Sequence, residues 1–168
     1  MYTFIHKYIG EMVYGANDGI ITTFAVVAGA AGAGLSASVI IILGVANLVA
    51  DGFSMGASSY LAKKSEHARE GEVVAETTNP LTGGIVTFLA FLVAGVLPLI
   101  PFLFLKVDNT FLISAVATGI TFFLVGSARS VVITKHPLVA GFEMLLVGGI
   151  ASFIAYGIGD VIARIVGH

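Results

Sequence analysis

The sequence predicts an all-α integral membrane protein with five transmembrane helices, and three observations carry that prediction. Hydrophobic residues make up 57% of the 168 and charged residues only 11%, against about 45–50% and about 25% in soluble domains. Eight Lys and Arg with ten Asp and Glu are too few to clothe a soluble protein of this size. Those charges are also bunched, leaving stretches of about 20 residues with one charge or none, the length a helix needs to cross the hydrocarbon core.

Residues 1–13 mix apolar and polar side chains and read as an amphipathic helix lying at the interface. The first span covers 13–32 and ends where Gly29, Gly32, Gly34 and Ser36 favour a tight turn. The second covers 37–59. Residues 61–80 form a polar segment with Lys63, Lys64, Glu66, His67, Arg69, Glu70, Glu72 and Glu76, closed by Asn79-Pro80. Proline suits the first turn of a helix, so the third span begins there and covers 81–105. Pro98 and Pro101 should kink it or end it early. Lys106, Asp108 and Asn109 make a turn, the fourth span covers 110–128, and the fifth covers 138–166. The whole chain reads as one transmembrane domain.

Lys and Arg set the expected orientation, because they accumulate in cytoplasmic loops. Lys7, Lys63, Lys64, Arg69, Arg129 and Lys135 fall on the N-terminal side, and only Lys106 and Arg164 on the other. The N-terminus is therefore expected in the cytoplasm and the C-terminus outside. The first 18 residues lack a clean apolar stretch before a small-residue cleavage site, so no removable signal peptide is expected. No basic patch suggests nucleic acid. Cysteine is absent, which removes disulfides, thiolate metal sites and cysteine nucleophiles together. Glycines and alanines at helical spacing (Gly15 with Gly19, Ala25 with Gly29, Gly52 with Gly56, and Gly141, Gly148 and Gly149) let backbones approach closely in lipid. Packing within the bundle accounts for most of them, with a subunit interface open for a minority.

Ionisable groups at membrane depth cost roughly 2.5–3.5 kcal/mol each on insertion scales, so Asp18 and Asp51 need an account. Asp18 lies about 16 residues before the Gly34–Ser36 turn and Asp51 about 15 after it, which puts both roughly 22–24 Å below that turn in an antiparallel hairpin. Asn47, Asp51 and Met55 recur at i, i+4 and i+8, along one stripe of the second helix. An amide oxygen and carboxylates hold hard divalent cations, and a thioether tilts the choice toward first-row transition metals. Metal and proton would compete for such carboxylates. Asp18 can also be read as a helix-entry residue, Asp51 as structural and Met55 as packing.

Weaker candidates lie nearby. Glu66, His67 and Glu70 share a face of a cytoplasmic extension of the second helix, either solvated or collecting metal. Glu143, at the cytoplasmic start of the fifth helix, is either an acid favoured by the helix dipole or part of the ion route. Tyr156-Gly157-Ile158-Gly159-Asp160 matches the Gly-x-Gly-Asp pattern of intramembrane aspartyl proteases, but Asp160 falls far in depth from Asp18 and Asp51.

Residues 14–34 (YGANDGIITTFAVVAGAAGAG) and 43–66 (LGVANLVADGFSMGASSYLAKKSE) closely resemble the vacuolar iron transporter family, as does Met144-Leu145-Leu146 with Gly148-Gly149. The resemblance implies a five-helix homodimer with the ion path at the subunit interface between the first helices, and metal driven out of the cytosol by proton exchange. The family's pathway carboxylate falls on Asp18 and its pathway methionine on Met55. Plant members carry a glutamate where this chain has Asn47 and no aspartate at Asp51, as though the carboxylate had moved one turn along the same face. They also have a glutamate-rich cytoplasmic domain after the second helix, of which only residues 61–80 remain here. The resemblance is to a short prokaryotic-type member, which implies a prokaryotic inner membrane.

The expectation is thus a transporter of Fe²⁺ or Mn²⁺ with no resident cofactor, whose partners are a second copy of itself, lipid, the metal ion and protons. Two other readings stand beside it. One is a membrane enzyme with an Asp18/Asp51 acid–base dyad, and the other is a structural helical bundle.

Overall fold

The structure is a computed structural model that describes residues 2–70, 79–105, 109–132 and 135–167. Its long helices are α1 (Tyr2–Gly32), α2 (Ala37–Glu70), α3 (Pro80–Gly95), α5 (Thr110–Arg129) and α6 (Pro137–Val166); a 3₁₀ turn (Leu97–Leu99) and the short α4 (Ile100–Phe104) follow α3. Among the described residues, four stretches are long and apolar enough to cross a membrane: Ala37–Arg69, Pro80–Phe104, Thr110–Arg129 and Pro137–Val166.

The helix ends follow local chemistry. α1 closes in a Schellman motif, in which Leu35 N–H donates to the Ala30 carbonyl and Gly34 N–H to that of Ala31, both at 3.0 Å. Gly34 takes φ +69° there, a conformation that glycine adopts without steric cost. At the start of α3, Asn79 Oδ1 accepts from the N–H of Leu81 (2.9 Å) and Thr82 (3.2 Å), with Pro80 in the first turn. His136 Nδ1 accepts from Leu138 N–H at 3.3 Å before α6. The two prolines of the third span fall where its helix breaks into the 3₁₀ turn and α4. Ser114 of α5 donates its hydroxyl to the Pro98 carbonyl at 2.7 Å, so a polar group at the break finds a partner inside the bundle.

Two helices run beyond the expected spans, the second as the extension read from Glu66, His67 and Glu70. Residues 2–32 form one helix with no break at residue 13, so the N-terminal helical stretch leads straight into the first span. α2 continues past Ser59 to Glu70, because a lysine- and glutamate-bearing stretch without glycine or proline sustains a helix as readily in water as an apolar one does in lipid. Residues 71–78, with Glu72 and Glu76, lie outside the described residues, as do Lys106 to Asp108 and the side chain of Glu70.

α1 occupies the middle of the bundle and packs against α2, α3, α5 and α6. A centrally placed helix meets protein more than lipid, so it tolerates Asn17, Asp18, Thr22 and Thr23, and its composition alone does not mark it as a span. Its course does: Gly15 and Gly19 abut Thr87 and Phe91 of α3, and Gly32 abuts Tyr156 of α6, so it runs parallel to two helices able to cross. α2 runs antiparallel, with Gly52 against Phe88 and Phe91 and Gly56 against Gly84. The core forms where these helices converge, with Ile20, Phe24 and Val27 of α1 meeting Phe91, Leu99, Phe122 and Met144. Most of the glycines singled out in the sequence, namely Gly15, Gly19, Gly52, Gly56, Gly141 and Gly148, abut neighbouring helices of the same chain, whereas Gly149 faces open space.

Candidate functional site

Asp18 stands on α1 and Asp51 on α2, two helices that pack against each other. Both are half-buried, and they lie close enough for their charges to act on each other. Local geometry explains the approach. The Schellman turn sends α2 back along α1, and residues equally distant from the turn on the two helices arrive at one level. On α1 the half-exposed residues Asp18, Thr22, Ala25 and Gly29 follow one another at steps of three or four, in line with the exposed Tyr14. Asp18 therefore stands on a strip of small and polar side chains, while Gly15, Gly19, Ile20, Thr23, Phe24, Val27 and Ala28 are buried.

On α2, Asn47, Asp51 and Met55 succeed one another at successive turns and all are half-buried. The Asn47 Nδ2 group is buried with no hydrogen-bond partner, a costly condition for an amide. Met55 packs on the margin of the core. Ser54 and Ser58 are exposed. Thr22, one turn beyond Asp18, spends its hydroxyl on the Asp18 backbone carbonyl at 2.8 Å and so leaves the carboxylate free of it.

The donor set is two carboxylates, an amide and a thioether within two adjacent helices. Among the described residues, no three His, Asp or Glu side chains come together as a metal-holding group. An ion held by one chain would accordingly rely on the two carboxylates, with the amide, the thioether or water completing its shell.

The remaining candidates lie elsewhere. Glu66 is exposed and His67 half-buried on the polar end of α2. Glu143 is on the opposite flank of α1, ion-paired with Lys135 at 2.6 Å, in a cleft that Asn17 and Arg129 also line. Asp160 pairs with Arg164 at 2.9 Å one turn further on. Its neighbour Gly159 abuts Gly29 near the end of α1, which places Asp160 far in depth from Asp18.

One polar cluster escaped the sequence reading. Lys63 of α2 donates to the Glu11 carboxylate of α1 and sits 5.7 Å from the centre of the Tyr8 ring. The Tyr8 hydroxyl accepts from Asn79 N–H at 3.1 Å, so α1, α2 and α3 are tied at one end. Counting from the Gly34–Ser36 turn would have found the pair, since Glu11 and Lys63 come within about one helical turn, roughly 6 Å, of the same level.

Comparison with known proteins supplies the context. A sequence model of the VIT family matches residues 9–77 and 67–160. The two stretches meet in the polar segment, where the resemblance places a longer domain in plant members. The chain is similar to a vacuolar iron transporter of Toxoplasma gondii, 26% identical over 95% of this chain and 76% of the relative. It is also similar to one of Plasmodium falciparum, 26% identical over 90% and 81%, and to vacuolar iron transporter 1 of Eucalyptus grandis, 24% identical over 92% and 86%. These relatives are transporters by name, not enzymes, and the reading of Asp18 and Asp51 as an acid–base dyad falls away. With the family match running through nearly the whole chain, this protein belongs to the VIT family.

Proposed function

We propose that this protein carries Fe²⁺ or Mn²⁺ out of the cytosol in exchange for protons, with Asp18, Asp51 and Met55 binding the ion and Asn47 assisting. The observation that carries this reading is the meeting of Asp18 and Asp51 on adjacent helices, in a chain whose relatives are named vacuolar iron transporters. Two negative charges at one level repel in a medium of low dielectric. A divalent cation cancels that repulsion, and so do protons, so occupancy by one opposes occupancy by the other. The Met55 thioether favours a first-row transition metal over Mg²⁺ or Ca²⁺.

Part of the reading concerns assembly and direction. The strip carrying Asp18, Thr22, Ala25 and Gly29 would let two copies of α1 approach closely in lipid, and a homodimer joined there would bring a second pair of carboxylates to the ion. The excess of Lys and Arg at the end where α1 begins supports a cytosolic N-terminus. Glu66 and Glu70, on the polar end of α2, would then meet cytosolic metal first.

The test is transport in proteoliposomes holding a metal indicator and a pH dye. Mn²⁺ entry should be accompanied by proton movement in the opposite sense. Metal entry without proton movement would reject exchange, and absence of metal entry would reject the transporter reading itself.

A further inference from the structure

At the level of Asp18, α1 separates two polar regions. Asp18 feels the charge of Asp51 on α2, while Asn17, one residue earlier and about 100° around the helix, lines a cleft between α1, α5 and α6. That cleft has a volume of about 370 Å³ and walls that include Ile21, Arg129, Glu143, Met144 and Val147. Glu143 is ion-paired with Lys135 at 2.6 Å, and Arg129 of α5 adds a second positive charge acting on it. From α1 the cleft receives only the neutral Asn17 and Ile21. The amide oxygen of Asn17 is buried with no hydrogen-bond partner.

These walls suit a particular occupant. A cation would meet Arg129 and Lys135, and an anion would meet the Glu143 carboxylate beside Arg129. An acyl chain would leave a carboxylate, a guanidinium and an amide facing hydrocarbon, at a cost of several kcal/mol. Water meets both donors and acceptors, and the volume far exceeds the roughly 15 Å³ that one molecule needs. Glu143 lies six residues into α6, about 9 Å along its axis, so the cleft opens near the membrane face where α1 begins.

We infer that this cleft is an aqueous port for protons, with Glu143 as the relay that takes them up and releases them, on the opposite flank of α1 from the metal path. The inference rests on the exchange reading above. In the uptake step an O–H bond of hydronium breaks and one forms on a Glu143 carboxylate oxygen, leaving neutral water. The proton then passes from Glu143 to water at the membrane face where the cleft opens, the direction in which the exchange carries protons, and the ion pair with Lys135 re-forms.

Mn²⁺-driven proton movement in proteoliposomes tests this. Glu143→Gln should lower protons moved per Mn²⁺ by about tenfold or more, and Glu143→Asp should restore most of the coupling. Lys135→Gln, which breaks the ion pair but keeps the carboxylate, should still couple. Full coupling in Glu143→Gln, or equal loss in Lys135→Gln, overturns the inference while the exchange reading stands; no proton movement in the unmodified protein overturns both. The absence of cysteine allows a second measurement that does not depend on that variant. Val147→Cys should react with a charged methanethiosulfonate reagent and Ile150→Cys, nearly a turn deeper, should not. An unreactive Val147→Cys would show a dry cleft and overturn the port.

Discussion

The ammonium of Lys63 on the polar end of α2 donates to the carboxylate of Glu11 on α1, and both side chains are mostly shielded, at 18% and 14% exposure. Removing one partner would strand the other's charge. Glu11→Gln should lower stability by about 1–2 kcal/mol, less than for a fully buried pair because water still reaches both groups. The double change with Lys63→Met should recover part of that loss. Thermal unfolding in detergent measures both, and an unchanged midpoint in Glu11→Gln would show that the pair contributes nothing.

Asp18→Asn and Asp51→Asn keep side-chain size but remove a negative charge from the proposed ion site. Each should reduce Mn²⁺ flux by about tenfold or more, since a lost carboxylate ligand costs at least about 1.4 kcal/mol of ion binding. Stability should change little, because each substitution also relieves the repulsion between the two acids. Flux assays with matched thermal melts decide. Wild-type flux in either variant would remove that residue from the site.

Met55→Leu preserves packing volume and removes the sulfur. Affinity for Fe²⁺ and Mn²⁺ should fall by severalfold to about tenfold, with competition by Ca²⁺ unchanged. Competition flux assays read the ratio. An unaltered ratio would assign Met55 to packing alone.

Gly15 and Gly19 allow α1 to lie directly on the backbone of α3 at Thr87 and Phe91. A methyl group at Gly19 meets backbone, which cannot swing aside. Gly19→Ala should therefore destabilise the bundle by about 1–3 kcal/mol, whereas Gly149→Ala, which meets open space, should be nearly neutral. Melting curves of the two variants compare them directly.

Much of this architecture could be read from residue order. The Gly29–Ser36 cluster marked the turn that became a Schellman motif, Asn79-Pro80 marked the cap of α3, and Pro98 with Pro101 marked the break after it. Each of these is local, depending on residues within a turn or two. The common level of Asp18 and Asp51 was also legible, because a tight hairpin converts residue count into depth. The extension of α2 as far as Glu70 was legible too, from the face shared by Glu66, His67 and Glu70, whereas the unbroken run of α1 from Tyr2 was not. Polar composition marks where a helix leaves lipid, not where it stops.

Sequence by itself determined that the chain enters membranes and how many long helices it forms, because hydropathy, helix rise and turn chemistry act along the chain. Tertiary structure alone decided that the one long helix whose composition does not mark it as a span sits in the middle, that Lys63 reaches Glu11, and that Asn17 lines a cleft with Glu143 while the charge of Asp51 acts on Asp18. Those relationships depend on the rotation of each helix about its axis. Rotation is set by which glycines and side chains interlock across helices, and a periodic pattern in one segment carries no record of the partner it meets.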